Sequence, residues 1–165
     1  MFGFGSPSEL STPLGLQVKA ATDSLRLVPD WNLNLQICDQ ISRNRGDSAQ
    51  SVLNAIRRRL QDNDPQTVYL ALLLMESCMK NCGIEFVAAV DRATLNEVAN
   101  VGRGTKGPKN TDEALRLIAT WARAFQSTFP IFYDTFMGLK SRGVRFPPED
   151  EAAIRTYTGA APGYV

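Results

Sequence analysis

The stretch from Asp64 to Gly83 reads DPQTVYLALLLMESCMKNCG and decides the fold class. When it is stepped at about 100° per residue, its apolar side chains fall on almost every side of a helix, and the polar edge is limited to Tyr69, Glu76 and Lys80. A helix that is apolar nearly all round is buried among other elements. The stretch therefore predicts the central, buried helix of the domain.

On both sides of this helix, segments of helical period alternate with short clusters of Gly, Pro, Asn and Asp. No segment keeps the strict alternation of apolar and polar residues that a half-buried strand shows. We therefore predict an all-α fold whose short links make successive helices pack as antiparallel neighbours. The predicted helices lie near residues 14–26, 30–43, 47–61, 64–82, 84–91, 93–101, 111–126 and 130–142.

Particular residues support these helix boundaries. Pro65 suits the first turn of a helix, whereas Gly83 and Gly143 suit left-handed exits. Three aspartates offer the side-chain acceptors of N-caps: Asp30, Asp47 and Asp64.

The segments outside the helices set the expected domain limits. The helical domain is expected at residues 14–147, between a flexible N-terminal segment, 1–13, and a C-terminal tail or linker, 148–165. Within that tail, Glu149–Thr156 is expected to form one or two extra helical turns. The stretch Gly102–Asn110, GRGTKGPKN, has the composition of a mobile loop.

The composition excludes several classes of function. At 165 residues and 44% apolar composition, the chain can bury a core as one domain. Its 18 basic and 17 acidic residues leave a net charge of +1, so no global field favours nucleic acid. The sequence has no histidine, which removes histidine-based catalysis and metal ligation. We expect neither an enzyme nor a bound cofactor.

The cysteines and the N-terminal residues indicate the compartment. Cys38, Cys78 and Cys82 are an odd set without the spacing of a disulfide framework. The first residues, MFGFGSPS, have neither a charged leader nor a long apolar run, and no apolar stretch approaches the roughly 18 residues of a membrane span. We therefore expect a reduced, cytoplasmic protein. Cys78 and Cys82 are expected to be core residues, and no metal site is expected.

The second predicted helix, DWNLNLQICDQISR from Asp30 to Arg43, carries two apolar stripes. The first is a sufficient core face: Leu33, Ile37 and Ile41. The second lies about 120° away: Trp31, Leu35 and Cys38. We expect Trp31 and Leu35 to face solvent or a partner, and tryptophan is enriched at binding hot spots. The alternative is that this stripe packs against a neighbouring helix.

Two groups of cations are candidate anion contacts. The consecutive residues Arg57–Arg59 spread over about 200° of a helix, which favours a solvated surface over a phosphoinositide or phosphopeptide site. Arg103, Lys106 and Lys109 lie in the predicted loop and are equally unspecific.

Four motifs occur in order along the chain: DWNLNLQICD at 30–39, DPQTVYLALLLMESCMKNCG at 64–83, TWARAF at 120–125 and GVRFP at 143–147. In this combination the sequence resembles the VHS domain family from about Gly15 to Pro147. The resemblance implies a right-handed superhelix of eight helices in a cytosolic adaptor that is recruited to endosomes or the trans-Golgi. It also implies ubiquitin binding through the second and fourth helices, where the family's contacting tryptophan and leucine match Trp31 and Leu35.

The resemblance therefore implies ubiquitin, ubiquitinated cargo and other trafficking adaptors as partners, with membrane association only through them. Asn32 and Asn34 are expected at the rim of the contact. So small a patch predicts a dissociation constant on the order of 0.1 to 1 mM, about 4 to 5.5 kcal/mol, with avidity from clustering.

Other readings of the resemblance remain open. One branch of the family binds acidic dileucine signals between helices six and eight, where Asn96, Tyr133 and Met137 lie here. Asp91 and Arg92, however, stand where that branch would need a lysine and an aromatic residue, so an acidic signal would meet the wrong charge. A scaffold without ubiquitin binding is the remaining alternative. Related superhelical families bind phosphoinositides or phosphorylated polymerase tails, and the few cations of the first helix do not favour them.

Overall fold

The computed structural model describes residues 8–44 and 46–158, and all regular structure in those ranges is helical. This confirms the predicted all-α class. The α-helices are α1 (Pro13–Ala21), α2 (Trp31–Arg43), α3 (Asp47–Leu60), α4 (Pro65–Asn81), α5 (Ile84–Ala89), α6 (Arg92–Asn100), α7 (Pro108–Ala124), α8 (Pro130–Ser141) and α9 (Glu151–Thr158), and a π-helical segment, Val101–Thr105, follows α6.

The caps of α2 and α4 are those that the sequence predicts. The Asp30 carboxylate accepts a hydrogen bond from the backbone N–H of Leu33 at 3.0 Å, and the Asp64 carboxylate accepts one from Gln66 at 2.8 Å. Asp47 corrects the third expectation, because it is the first residue of α3 and Gly46 occupies the cap without a side-chain hydrogen bond. Gly46 has a φ of 95°, which a residue with a side chain rarely adopts.

The chain divides into two compact units between Val90 and Asp91. The first unit contains α1 to α5, and α4 contacts each of the other four helices. Leu72 and Leu74 of α4 are fully buried, and 9 further residues are buried, so that 11 of its 17 residues lie inside. The predicted central helix is confirmed within this unit.

The second unit is built around α7, which contacts α6, the π-helical segment, α8 and α9. Trp121 is fully buried and meets the ring of Phe132 edge-on at 6.1 Å between centroids. The ring of Phe125 meets that of Phe132 in a tilted contact at 5.4 Å and that of Tyr157 of α9 in an edge-to-face contact at 5.4 Å. Aromatic contacts of this kind stabilise by about 0.5–1.5 kcal/mol each beyond the buried area.

The first helix is shorter than the predicted 14–26. It ends at Ala21, where the Thr22 hydroxyl donates to the carbonyl of Val18 at 2.7 Å. Leu25, which lies within the predicted range, and Leu27, just beyond it, lie outside any helix and are 86% and 89% exposed. Leucine spacing alone cannot distinguish a further helical turn from an exposed connection.

The expected mobile loop at Gly102–Asn110 is also corrected. Its first part continues α6 as the π-helical segment, and its end is the first turn of α7. Gly104 reverses the chain with a φ of 103°. A Cβ at Gly102 would lie 2.8 Å from a methyl of Leu115, so this glycine permits a close approach to α7.

The C-terminal segment contains an ordered helix, α9, close to the extra turns expected at Glu149–Thr156. Ile154 is 7% exposed, and the indole N–H of Trp121 donates to the Tyr157 hydroxyl at 3.0 Å. The domain limits of 14–147 stay a prediction. Of the predicted flanking segments, residues 1–7 and 159–165 lie outside the described residues.

Candidate functional site

The start of α2 fixes where its first side chains point. The Asp30 carboxylate caps the helix and also pairs with the guanidinium of Arg26 at 3.3 Å. The helix therefore begins at Trp31, one residue after an anchored carboxylate. This anchor holds the orientation of the first turn, although a pair as exposed as this one adds little stability by itself.

Trp31 and Leu35 form an exposed apolar pair on one face of α2. Their exposed fractions are 54% and 51%, and a spacing of four places them one turn apart on the same face. The opposite side of the helix is buried, with Ile37 at 0% and Ile41 at 6% exposure. The predicted facing of these four residues is confirmed. Trp31 and Leu35 of the second stripe are not covered by any neighbouring helix that the structure describes in the first unit.

Two predicted members of this surface are not exposed. Cys38 is only 3% exposed, because α4 covers it. Asn34 is 2% exposed, so it cannot contact a partner from the rim as expected. Its side-chain oxygen has no hydrogen-bond partner among the described residues. Asn32, by contrast, is exposed and remains available at the rim.

An open groove of about 550 Å³ adjoins the apolar pair. Leu35 contributes the apolar part of its wall, and Asn81 at the end of α4 lies across from the α2 residues. The remaining lining is Asn32, Gln36, Cys38, Asp39 and Ser42. A partner seated on Leu35 would therefore find hydrogen-bonding groups around a small apolar centre.

Sequence reasoning missed a second exposed apolar segment just before α2. Leu25, Leu27 and Val28 are 86%, 89% and 70% exposed, and only two residues separate Val28 from Trp31. The side chain of Gln66 donates to the carbonyl of Arg26 at 2.7 Å, which ties this segment to the start of α4. The available signal was Pro29, because a proline disfavours helical conformation in the residue before it, here Val28.

The three cysteines converge inside the first unit, although only two of them are close in sequence. Their sulfur atoms all lie within 4.8 Å of one another, and those of Cys38 and Cys78 are 3.9 Å apart. Hydrogen bonds from the Cys78 and Cys82 thiols lower the pKa of Cys38 below the usual thiol value. The hydrogen bond to Cys38, together with burial, raises the pKa of Cys78 and of Cys82.

The residues of the alternative peptide site lie on α6 and α8, which contact each other in the second unit. Asn96 is exposed on α6, Tyr133 is half-buried on α8, and Met137 is 42% exposed. Asp91 stands where the dileucine-binding branch of the family would need a lysine. Here its carboxylate caps α6 by accepting a hydrogen bond from the backbone N–H of Thr94 at 2.9 Å. Its carboxylate therefore has a structural role.

A second groove in this unit, of about 680 Å³, carries three arginines. Arg103 follows α6, whereas Arg142 and Arg145 follow the end of α8. The apolar part of the lining includes Leu115 and Val144. This combination of cations and apolar surface is suited to an acidic segment with an apolar side chain.

The sequence predicts that Arg57–Arg59 on α3 do not form one patch, and the structure confirms this. Arg59 is directed inward, where it donates to the Thr22 hydroxyl at 2.8 Å and lies 3.7 Å from the Asp62 carboxylate. Arg57 is half-buried beside Asn54, and Arg58 is exposed. Only part of the run is accessible to an anion.

Within the described ranges, no helix is both long enough and apolar enough to cross a membrane. The model of the VHS domain family matches residues 8–143 of the chain. The chain belongs to the VHS domain family. The family resemblance inferred from the sequence motifs is thereby confirmed.

Curated relatives are about one third identical to this VHS domain over the aligned residues. TOM1-like protein 1 of Arabidopsis thaliana is 33% identical over 82% of the chain, and Target of Myb1 membrane trafficking protein of Mus musculus is 34% identical over 90%. The chain spans about a third of the length of each relative, 33% and 31%. A VHS domain is therefore one part of these longer proteins, one of which is named for membrane trafficking.

A solved structure supports the same assignment of fold. The VHS and FYVE tandem domains of Hrs, a protein involved in membrane trafficking and signal transduction, match with a TM-score of 0.74 and 30% identity. The match covers 86% of this chain and 66% of that one. The VHS fold is thus shared with a protein of membrane trafficking.

Proposed function

We propose that this VHS domain binds ubiquitin on membrane cargo as part of a trafficking adaptor, with Trp31 and Leu35 as its apolar anchors. The observation that carries the proposal is the exposure of these two side chains, one turn apart on a helix whose opposite face is fully packed. The pair is offered on an ordered helix, so that little entropy is lost when a partner covers it. The family resemblance, which aligns ubiquitin-contacting residues with the same two positions, supports it independently.

The size of the surface fits a weak interaction. Half of a tryptophan and half of a leucine side chain leave roughly 200 Å² of apolar area to cover, which corresponds to about 5 kcal/mol at 25 cal/mol per Å². The entropy lost on association offsets part of this favourable free energy, and polar contacts at the rim add to it. A dissociation constant on the order of 0.1–1 mM follows, about 4–5.5 kcal/mol. Clustered ubiquitin or tandem modules would then supply the avidity for sorting.

The polar surroundings suit the same partner. Asn32, Gln36 and Asn81 line the groove beside Leu35 and place amide donors and acceptors around the apolar centre. Such groups would satisfy the backbone polar atoms that surround an apolar patch on a folded partner. Asn34 is excluded from this role because it is buried.

The test is an NMR titration of the isotope-labelled domain with ubiquitin. We expect shifts concentrated on α2 and the adjoining end of α4, with fast exchange. Trp31→Ala removes about 100 Å² of coverable apolar surface, about 2.5 kcal/mol, and should weaken binding roughly 70-fold. Leu35→Ala should weaken it roughly tenfold or more.

A matched control separates this effect from a general loss of exposed apolar area. Leu16 on α1 is 54% exposed, so Leu16→Ala removes a similar area from a different helix and should leave binding unchanged. If ubiquitin at millimolar concentration produces no shifts, or if the folded Trp31→Ala domain binds as tightly as the wild type, the proposal is wrong.

A second candidate function is binding of an acidic sorting peptide beside α6 and α8. The observation that favours it is the groove with Arg103, Arg142 and Arg145. An acidic dileucine peptide in this groove should then shift the signals of its lining residues Arg103, Leu115 and Val144, and those of Asn96, Tyr133 and Met137 only if it also reaches α6 and α8. Its binding should weaken as salt screens the arginines. Peptide shifts on α2 instead, or their absence, would exclude this candidate.

A further inference from the structure

Three cysteines from two helices meet at one point in the first unit. Cys38 lies in the middle of α2, Cys78 lies in the last turn of α4, and Cys82 caps the end of α4. Their sulfur atoms lie within 4.8 Å of one another. The 40 residues that separate Cys38 from Cys78 hide this cluster in the sequence, where only a pair four residues apart is visible.

The sulfur positions are set by ordered backbone. The Cys82 amide donates to the carbonyl of Cys78 at 3.0 Å, which holds the cap in place at the end of α4. On α2, the Ser42 hydroxyl donates to the carbonyl of Cys38 at 3.1 Å. Cys38 and Cys78 are 3% and 0% exposed, so both are confined by packing. A ligand set on such elements costs little entropy to organise.

The spacing of the sulfurs matches that of a metal-thiolate site. Three thiolates at about 2.3 Å from one ion lie about 3.8–4.0 Å apart, and the Cys38 and Cys78 sulfurs are 3.9 Å apart. A disulfide would require about 2.05 Å, and all three cysteines are free. The third sulfur needs to approach by less than about 1 Å to complete a regular site, which a rotation about one side-chain bond can supply.

We propose that Cys38, Cys78 and Cys82 bind one zinc ion through three sulfur atoms. Thiolates favour soft and borderline ions such as Zn²⁺ over Mg²⁺ or Ca²⁺. As each sulfur–metal bond forms, any proton on that sulfur passes to solvent, and no atom changes its oxidation state. The fourth position of the tetrahedron would be taken by water, since three protein ligands leave one position open.

Two cavities border the residues of the cluster. Cys38 lines the groove of about 550 Å³ beside Leu35, and Cys82 lines a smaller cavity of about 170 Å³ together with Glu85 and Phe86. An ion would make its first contact at Cys82, the only one of the three cysteines that is partly exposed. Once bound, it would link α2 to the end of α4. The proposal does not depend on ubiquitin binding, because none of the three sulfurs belongs to the apolar pair.

The experiment uses the intact, reduced domain with Cd²⁺ as an optical probe of the zinc site. We expect one equivalent of Cd²⁺ to produce the ultraviolet thiolate-to-cadmium charge-transfer absorption, and Zn²⁺ to displace it. In parallel, bound Zn²⁺ should protect Cys82 from alkylation at least about tenfold. The wild-type measurements need no variant, so a folding defect cannot mimic the result. The absence of the charge-transfer band, or unchanged alkylation at saturating Zn²⁺, would refute the proposal.

Variants then assign the ligands. Cys38→Ser and Cys82→Ser should each weaken Cd²⁺ binding at least about 100-fold, because a hydroxyl is a poor replacement for a thiolate at this ion. Gln36→Ala is the matched control, since Gln36 lines the same groove as Cys38 but offers no sulfur, and binding should persist. Full-strength binding in both cysteine variants, with the fold checked by NMR, would show that the ion sits elsewhere.

Discussion

The hydrogen bond between Trp121 and Tyr157 gives a direct test of whether α9 belongs to the folded domain. The indole N–H of Trp121 donates to the Tyr157 hydroxyl at 3.0 Å, and the tryptophan is fully buried. Tyr157→Phe removes the acceptor and leaves in place the ring that contacts Phe125 edge-to-face. The change therefore removes this hydrogen bond and keeps the aromatic packing.

The expected cost follows from the burial of the donor. A lost hydrogen bond costs about 0.5–1.5 kcal/mol when water replaces the partner, and about 1–3 kcal/mol when the donor is left unsatisfied. Tyr157 itself is half-buried, so water reaches the indole only partly, and we expect about 1–2 kcal/mol. For a domain of this size, the melting temperature should fall by about 2–8 °C.

The assay is thermal unfolding combined with NMR of the indole N–H signals. The chain has two tryptophans, so Trp31 supplies an internal reference that is 54% exposed. In Tyr157→Phe, the Trp121 signal should shift and its hydrogen exchange should accelerate, whereas the Trp31 signal should stay. Tyr133→Phe is the matched control on α8. If the melting temperature and the Trp121 signal are both unchanged in Tyr157→Phe, α9 is not docked on α7 in solution and the reasoning is refuted.

Three further predictions test the fold and the surface charges. Asp91→Ala should destabilise the domain by about 0.5–2 kcal/mol because α6 loses its cap, whereas Asp91→Asn should retain nearly all of the stability in the same denaturant titration. Trp121→Ala should cost about 3–5 kcal/mol by chemical denaturation, and Trp31→Ala less than about 1 kcal/mol, because only the first side chain leaves a cavity. The guanidinium of Arg123 lies 2.6 Å from the Glu149 carboxylate and lowers its pKa. The small contribution of this ion pair to stability is present above the ordinary glutamate pKa and is lost as the pH falls through the lowered value. An NMR titration should place the midpoint of Glu149 below the ordinary value, and Arg123→Gln should raise it; an unchanged midpoint in the variant would contradict the pairing.

The sequence is informative where the signal is local. The central position of α4 could be predicted because its own residues are apolar on nearly every side. Angular position separated Trp31 and Leu35 from the core face of α2, which their exposure confirms, but it left open whether a neighbouring helix covers them. The caps Asp30 and Asp64 were likewise predictable, because a cap involves only residues two or three apart.

The remaining features depend on groups that are distant in sequence. Cys38 lies on the same stripe as Leu35, and only the position of α4 decides that one is buried and the other exposed. Asn34 is buried although its side chain is polar, which no periodicity indicates. The docking of α9 depends on Trp121 and Tyr157, which are 36 residues apart. The conformation at Gly102 depends in the same way on a methyl of Leu115 across the helix pair.

Prolines at the first position of α1, α4, α7 and α8 have a consequence for how the chain tolerates change. A proline at that position disfavours helical conformation in the residue before it, so none of these helices can grow backwards into its preceding connection. Insertions or deletions in those connections, such as residues 61–64 or 126–129, should therefore alter surface loops without sliding the helix that follows. Length changes in a connection therefore leave unchanged which residues of the following helix face the core. The connections can differ in length and sequence between related proteins.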